Sequence, residues 1–413
     1  MAKIYELSNG LKVITESIPF FKSVAFGIFV RNGSRNEVQG LNGISHLIEH
    51  MFFKGTEKRT ALNIAEDSDS IGAAINAYTS KEHTCYYTRV IDEKFEEAVE
   101  IMSDMFFNSK FSDDDIIKER SVVLEEIGIY NDQASDLVIN NLHKNVWKDS
   151  SLGQTILGTF DTLKDINKDV ITDYLKDNYT ISNTIISVAG NINDEDVINI
   201  LEKYFSKWQN NSINQYNTVP KYHSSRVLTP KTIEQTHFVL SWEGLDLVDK
   251  NRYAMAIINI CLGGGMSSRL FQRIREELGM VYSIYSYVSS FSDAGLFNIY
   301  SELSNKNIEE VYTNIIKITD DLKINKLSEN TLNKLKSQLK SNIILAQESI
   351  GGIMSAMGRT YIFRAEYTSP DEIITKINSV TSEDVLAIAN KVFNKDVSIS
   401  IAGNTQGINI DKL

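Results

Sequence analysis

The 413-residue sequence contains only two cysteines and four prolines, and it has no run of 18 consecutive apolar residues. Cys85 and Cys261 stand among apolar or aromatic neighbours, which predicts buried free thiols and gives no basis for a disulfide framework. The lack of a long apolar run argues against a membrane-spanning helix. The first residues lack the apolar segment of a secretion signal, so we expect the protein in the cytoplasm.

Positive charge is also in deficit, since 42 lysines and arginines stand against 54 aspartates and glutamates, a formal net charge of −12. Proteins that bind nucleic acid carry basic faces, so this balance argues against a nucleic-acid partner. An acidic cleft can steer basic peptides, although an acidic excess more often serves solubility. The length exceeds what one hydrophobic core usually supports and predicts at least two domains.

One segment of different composition separates two halves of the chain. Residues 209–230 are rich in asparagine and serine and hold two of the four prolines, Pro220 and Pro230. This stretch is too polar to pack well, which is typical of a linker. We therefore predict a first domain over residues 1–208 and a second domain over residues 231–413.

The second half repeats the pattern of the first at a constant distance of 213 positions. Three pairs of segments show the repeat: residues 23–27 with 236–240, 96–97 with 309–310, and 189–191 with 402–404. Strand-like runs mixed with amphipathic helical runs are typical of α+β folds. We expect two homologous domains from an internal duplication, each a mostly antiparallel sheet with helices packed on one face.

The pattern with the most specific chemistry is Ser-His-Leu-Ile-Glu-His-Met at residues 45–51. On a helix, His46 and His50 stand one turn apart on the same face, so both imidazoles can reach one metal ion. Glu49, next to the second histidine, can accept a proton from a metal-bound water. A core helix with two incidental histidines is the alternative, but the chain has only six histidines and two of them fall in this pattern.

A catalytic zinc site usually takes three protein ligands and leaves one position for water. The helix predicted over residues 113–129 offers Glu119, Glu125 and Glu126 as the third ligand. Glu119 and Glu126 are seven positions apart and share a face, whereas Glu125 points about 100° away from Glu126. We therefore expect Glu119 and Glu126 to face the metal, one as the ligand and the other as a supporting carboxylate.

The repeated half provides an internal comparison for this interpretation. At the distance of 213 positions, His46 corresponds to Asn259, Glu49 to Leu262, His50 to Gly263 and Glu126 to Leu339. The fold pattern persists there without any of the metal-binding side chains. The fold alone therefore does not require them.

The chain resembles the pitrilysin/insulinase family of zinc peptidases. It is most similar to the half-length bacterial members related to mitochondrial processing peptidase. The resemblance extends over nearly the whole chain. It rests on four segments: the motif His-Leu-Ile-Glu-His with the following Met-Phe-Phe-Lys-Gly-Thr, residues 75–82, Lys-Glu-Arg at 118–120 with Glu126, and residues 275–283. Glu126 lies 76 positions after His50, which matches the family's spacing for its third ligand.

The resemblance implies a role for each matching residue. It makes His46, His50 and Glu126 the ligands of one Zn²⁺ per chain. Glu49 becomes the general base and Glu119 a further glutamate that supports catalysis. Asn76 and Ala77 would lie on a sheet edge that pairs with an extended peptide.

Arg275 and Tyr282 in the second half would help to hold the peptide and stabilise the oxyanion, although on their own they are typical of an exposed helical arginine and a core tyrosine. Because full-length members of the family have four such domains, the resemblance also implies a homodimer that forms a closed chamber. In such a dimer, these two residues can act either in their own chain or in the partner, and both alternatives stay open.

These observations together predict a zinc metalloendopeptidase or oligopeptidase that hydrolyses unstructured peptides. Two other functions are compatible with parts of the pattern. One is a non-catalytic partner subunit of a heterodimeric peptidase, which would have no need of the intact ligand set. The other is a metal-dependent hydrolase of non-peptide amides, because a zinc centre does not by itself select the acyl group.

Overall fold

The computed structural model of the protein describes residues 2–210 and 219–413, which form two compact units. The first unit takes its described residues from 1–127, 155–217 and 345–369, and the second from 128–154, 218–344 and 370–413. Both units combine helices with one sheet, so the predicted α+β class with two similar domains is confirmed. Within the described ranges, none of the helices combines the length and the apolar character needed to span a bilayer.

The sheet of the first unit has six strands in the order β1-β2-β6-β3-β5-β4. The strands are β1 (Lys3–Glu6), β2 (Lys12–Ser17), β3 (Ser23–Val30), β4 (Asn76–Thr79), β5 (Thr84–Ile91) and β6 (Thr184–Gly190). Only the β2–β6 pair is parallel, and the remaining pairs are antiparallel. The short strand β4 therefore lies at one end of the sheet.

Most helices of the first half contribute to the first unit. They are α1 (Ile44–Met51), α2 (Ala61–Ser70), α3 (Phe95–Asn108), α4 (Asp113–Asp132), α5 (Ala134–Val146), α6 (Phe160–Leu163), α7 (Lys168–Asn178) and α8 (Asp194–Phe205). Helix α5 and the end of α4, from Gly128 onward, belong to the second unit, and the others belong to the first. Phe26 and Ile28 of β3 pack in one buried cluster with Leu47 and Ile48 of α1, so α1 is fixed on the sheet.

The second unit repeats this plan with a five-stranded sheet in the order β7-β11-β8-β10-β9. Its strands are β7 (Arg226–Pro230), β8 (Thr236–Glu243), β9 (Val281–Ser290), β10 (Gly295–Leu303) and β11 (Ser398–Gly403). The helices of the second half are α9 (Arg252–Gly263), α10 (Ile308–Ile324), α11 (Glu329–Leu345), α12 (Ile350–Arg364), α13 (Pro370–Ser379) and α14 (Ser382–Phe393), with a π-helical segment at Phe271–Glu277. Strand β8 begins and ends 213 positions after β3, as the repeat in the sequence predicts.

Each unit includes one helix from the other half of the chain, which departs from the predicted division at residues 208 and 231. Helix α12 covers the face of the first sheet opposite to α1, where Met354 and Met357 are buried with Phe29 of β3. Helix α5 covers β8 and β11 of the second sheet in the same way, through Val138 and Leu142. The reason is that each sheet has a second apolar face, which the helices of its own half leave uncovered.

The last residues of the predicted linker belong to the second sheet. Residues 211–218 of the segment 209–230 lie outside the described residues. Arg226–Pro230 forms β7, which pairs in parallel with β11 at the edge of the second sheet. Alternate residues of β7 are exposed because it lies at the edge of the sheet. This strand therefore lacks the apolar run that would distinguish it from a loop in the sequence.

A buried carboxylate fixes the start of α1. Both oxygens of Glu37 accept hydrogen bonds from backbone N–H groups, Oε2 from Gly43 at 2.8 Å and Oε1 from Ser45 at 2.9 Å, and Oε2 also accepts from the side-chain amide of Asn42 at 2.8 Å. Gly43 precedes the helix with φ of 95°, a left-handed conformation that favours glycine. Glu37 thus satisfies N–H groups that a helix N-terminus leaves without partners.

We predict that Gly358→Ala in α12 destabilises the protein. A Cβ at Gly358 would lie 2.3 Å from the ring of Phe29, which is fully buried. Overpacking of this kind costs about 1–3 kcal/mol. Gly351→Ala in the same helix is the matched control, since its Cβ would meet no atom within 4 Å. We expect it to leave the thermal unfolding midpoint unchanged or slightly higher, and equal midpoints for the two variants would contradict the packing of α12.

We predict that Glu37→Gln lowers the thermal unfolding midpoint. Both carboxylate oxygens now accept hydrogen bonds from N–H groups, so in either orientation of the amide its NH₂ group would face at least one N–H donor. A buried donor left without an acceptor costs about 1–3 kcal/mol. Glu93→Gln, at an exposed position of the same unit, is the control. A Glu37→Gln midpoint equal to that of the control would exclude this role for the carboxylate.

Candidate metal centre

Helix α1 presents His46 and His50 on one side and core residues on the other. Leu47, Ile48 and Met51 are buried, and this packing sets the rotation of the helix. The two imidazole rings lie 4.6 Å apart between centroids, as the spacing of four residues predicts. Burial, followed by the nearby charge of His50, lowers the pKa of His46 to about 4. This imidazole is therefore neutral near pH 7, the form that binds a metal.

Glu126 of α4 completes a group of three potential ligands. Its carboxylate oxygens lie 3.8 Å from Nε2 of His46 and 3.8 Å from Nε2 of His50. These distances are too long for hydrogen bonds, but they approach the separation of roughly 3.3 Å between ligand atoms on a tetrahedral zinc. Within the described residues, this is the one group of histidine, cysteine and acidic side chains whose ligand atoms converge in this way. The donor set fits zinc.

Glu119 lies seven residues, about two helical turns, before Glu126. It contacts the ring nitrogen of His50 that faces away from Glu126. Its Oε2 is 3.2 Å from Nδ1 of His50, and its Oε1 is 2.7 Å from Nζ of Lys54. A carboxylate in this position holds the proton on Nδ1 and leaves Nε2 facing Glu126. Both glutamates face the two histidines. Glu126 lies next to the two Nε2 atoms, and Glu119 lies next to Nδ1 of His50.

Lys54 and Thr79 are two neighbours of the site that the sequence reasoning did not single out. Lys54 forms an ion pair with the buried Glu119. Its position just after the motif, in Met-Phe-Phe-Lys-Gly-Thr, was the available signal. Thr79, 30 positions after Glu49, donates a hydrogen bond of 2.5 Å from Oγ1 to Glu49 Oε2. No local pattern relates residues so far apart.

Glu49 directly precedes His50 on α1 and is partly buried. Burial raises the pKa of its carboxyl group above the ordinary value, while the hydrogen bond from Thr79 acts in the opposite direction. A raised pKa favours proton acceptance by a carboxylate near neutral pH. A carboxylate of raised pKa thus lies on the same helix as the two histidines.

Asn76 and Ala77 lie on β4, the end strand of the first sheet. Ala74 and Ser80, on either side of this strand, both donate backbone hydrogen bonds toward β5. In an antiparallel pair every second residue bonds to its neighbour strand, so the peptide groups of Ala77 and Thr79 point to the other edge. The N–H of Ala77 there donates to the side chain of Asn76 at 2.8 Å, and no strand of the described residues pairs with this edge.

Arg275 and Tyr282 belong to the second unit, whereas the residues above belong to the first. Arg275 is exposed in the π-helical segment, with its guanidinium 4.7 Å from the ring centroid of Phe271. Tyr282 is an additional residue at a break in the register between β9 and β10, and its side chain is 71% exposed. π-Helical turns and β-bulges are both frequent at functional sites.

The second unit uses the corresponding positions for packing. Leu262, at the position of Glu49, is fully buried in the core of that unit, and Leu339, at the position of Glu126, packs against it. A Cβ at Gly263, the counterpart of His50, would lie 2.1 Å from the backbone nitrogen of Ser286. The second unit therefore has no room for a second copy of the site.

Comparisons with known proteins agree with these features. The profile described as Insulinase (Peptidase family M16) matches residues 12–160, and the profile of the Peptidase M16 inactive domain matches residues 165–339. A zinc protease of Bacillus subtilis is 38% identical, with 97% of this chain and 98% of the relative covered. One of Rickettsia felis is 37% identical, with 97% of each chain covered.

Solved structures share the fold at lower identity. A peptidase M16 inactive domain from Pseudomonas fluorescens superposes with a TM-score of 0.92 at 18% identity, over 99% of both chains. A protease from Helicobacter pylori superposes with a TM-score of 0.91 at 20% identity, over 97% of this chain and 99% of that one. The match of the profiles and of full-length relatives shows that this chain belongs to the insulinase family, peptidase family M16, and is a metalloprotease.

Proposed function

We propose that the protein is a zinc-dependent endopeptidase or oligopeptidase that hydrolyses unstructured peptides, with Glu49 as general base. The observation that carries the proposal is the convergence of His46, His50 and Glu126 beside that carboxylate. The names of the relatives in Bacillus subtilis and Rickettsia felis, both zinc proteases, support zinc as the metal. The family to which the chain belongs supports peptides as the substrate class.

His46, His50 and Glu126 would hold one zinc ion per chain. A zinc ion bound there supplies a water of lowered pKa and a Lewis acid for the scissile carbonyl. Glu49 takes the proton of the attacking water and passes it to the leaving amine. Glu119 keeps the proton of His50 on Nδ1, and the ammonium of Lys54 pairs with Glu119 at 2.7 Å.

The outer edge of β4 would bind the substrate as an added strand. The peptide groups of Ala77 and Thr79 point outward there, and main-chain pairing gives affinity with little dependence on side chains. When a peptide pairs with this edge, the N–H of Ala77 would exchange its hydrogen bond to the Asn76 side chain for one to the peptide. Strand addition requires an extended chain, which favours unstructured peptides over folded proteins.

The remaining elements of the proposal concern the second unit and assembly. Arg275 and Tyr282, both exposed, would hold the peptide and stabilise the oxyanion of the tetrahedral intermediate. Two copies of the chain would form a closed chamber that selects substrates by size. The cytoplasm is the proposed location.

We predict that Glu49→Gln and Glu126→Gln separate catalysis from metal binding. Glu49→Gln should keep about one zinc per chain, because three ligands remain. Its cleavage of a quenched fluorogenic peptide should fall by roughly 10²–10⁴-fold, the usual contribution of a general base. Glu126→Gln should lose zinc as well as cleavage. Metal analysis and peptide assays, with and without chelator, measure both effects.

Glu125→Gln is the matched control, because Glu125 is exposed and adjacent to Glu126 on the same helix. It should retain both zinc and cleavage. Near-normal turnover in Glu49→Gln would overturn the assignment of the base. Full zinc content in Glu126→Gln would overturn the ligand set.

We predict that N-methylation of a peptide substrate weakens binding with a period of two residues. An added strand pairs through every second amide, so methylation of those amides removes hydrogen bonds to β4 and raises the dissociation constant roughly tenfold. Methylation of the intervening amides should have little effect. Binding is measured with the Glu49→Gln variant, which leaves the peptide intact. Equal effects at all positions would argue against strand addition.

A further inference from the structure

Thr79 connects the edge of the sheet with the proposed base. It is the last residue of β4, and its hydroxyl donates a 2.5 Å hydrogen bond to Oε2 of Glu49. We propose that Thr79 is a positioning residue that fixes the Glu49 carboxylate relative to the backbone of a peptide bound along β4. The inference rests on the proposed function, in which Glu49 is the base and β4 the docking edge.

The geometry of the strand gives Thr79 contacts in two directions. Its peptide group points to the outer edge, because the backbone N–H of the next residue, Ser80, donates toward β5 at 2.8 Å. Its side chain points to the face of the sheet that carries α1, whereas Tyr78 packs on the opposite face that α12 covers. One residue can thus pair with the substrate backbone and hold the base.

The hydroxyl of Thr79 is held by a rigid frame. The turn after β4 is closed by His83, whose Nδ1 and backbone oxygen each lie 2.7 Å from Oγ of Ser80. His83 Nε2 lies 3.2 Å from the hydroxyl of Tyr78. Across the ladder, Thr84 pairs with Thr79 and donates its own hydroxyl to the backbone of Asn32 at 2.9 Å. The donor to Glu49 therefore has a fixed position.

Anchoring one carboxylate oxygen orients the other. A hydroxyl donating to an ionised carboxylate forms a short, strong hydrogen bond. With Oε2 held by Thr79, rotation of the carboxylate about its terminal bond is restricted, and Oε1 is left to accept the proton of the water. Misplacement of a reacting group by about 1 Å can cost roughly 10²-fold in rate. Loss of the anchor should therefore reduce turnover more than peptide affinity.

The test compares Thr79→Val, which keeps the shape and removes the hydroxyl, with Thr79→Ser, which keeps the hydroxyl. Thr79→Val should lower kcat by roughly 10- to 100-fold with zinc content unchanged. Thr79→Ser should stay within about threefold of the native kcat, because the hydrogen bond can form again. Thr88→Val on β5 is the control, since the buried hydroxyl of Thr88 has no hydrogen-bond partner among the described residues. It should also stay within about threefold.

A second measurement does not depend on activity. The dissociation constant of the same fluorogenic peptide is compared between Glu49→Gln and the double variant with Thr79→Val added. We expect the two values to agree within about threefold, because the strand and its outward peptide groups remain. A turnover of Thr79→Val equal to that of Thr88→Val would overturn the inference.

Failure of Thr79→Ser to restore turnover would also overturn the inference, and so would a loss of peptide affinity as large as the loss of kcat. The latter result would assign Thr79 a role in shaping the strand. Retained turnover in Glu49→Gln would instead overturn the proposed base itself. The two failures are therefore distinguishable.

Discussion

The arrangement of the metal centre depends on how a helix of only eight residues is held in place. A helix of that length is not stable alone, because nucleation is costly and few hydrogen bonds repay it. The carboxylate of Glu37 binds the first turn of α1, and the buried side chains of Leu47 and Ile48 hold the opposite face. His46, His50 and Glu49 are thereby placed together, and α4 needs to add only Glu126 to complete the group of three potential metal ligands. The two histidines and Glu49 thus lie on a helix that is held both at its N-terminus and along its buried face.

The two units show how one fold can carry a site in one copy and none in the other. Helices and strands recur at the same spacing, and Gly190 and Gly403 end equivalent strands with φ of 140° and 135°. The positions that correspond to Glu49 and Glu126 hold leucines in the second unit, where they contribute to its core. Polar groups that a metal would satisfy are costly to bury without one. Apolar replacement at these positions is therefore the stable alternative for a copy without a metal.

Much of the site follows from local periodicity in the sequence. A spacing of four predicts the two facing histidines, and a spacing of seven predicts that Glu119 and Glu126 share a face. The contributions of Glu37, Lys54 and Thr79 were not predicted, because their partners lie 5 to 65 positions away and a polar residue carries no sign of its partner. The exchange of α5 and α12 was also missed. Hydrophobic patterning shows that a helix has an apolar face but not which sheet receives it.

The position of α12 has a consequence for the order in which the protein folds during synthesis. Phe29 lies near the start of the chain, but the helix that covers it ends at Arg364. Translation must therefore pass Arg364 before the first sheet is covered on both faces. Until then its apolar surface, including Ile14 and Ile185, is open to solvent and to other chains. Pairing over such sequence distances also slows folding. The unit that carries the candidate metal centre is thus complete only after α12 has been translated.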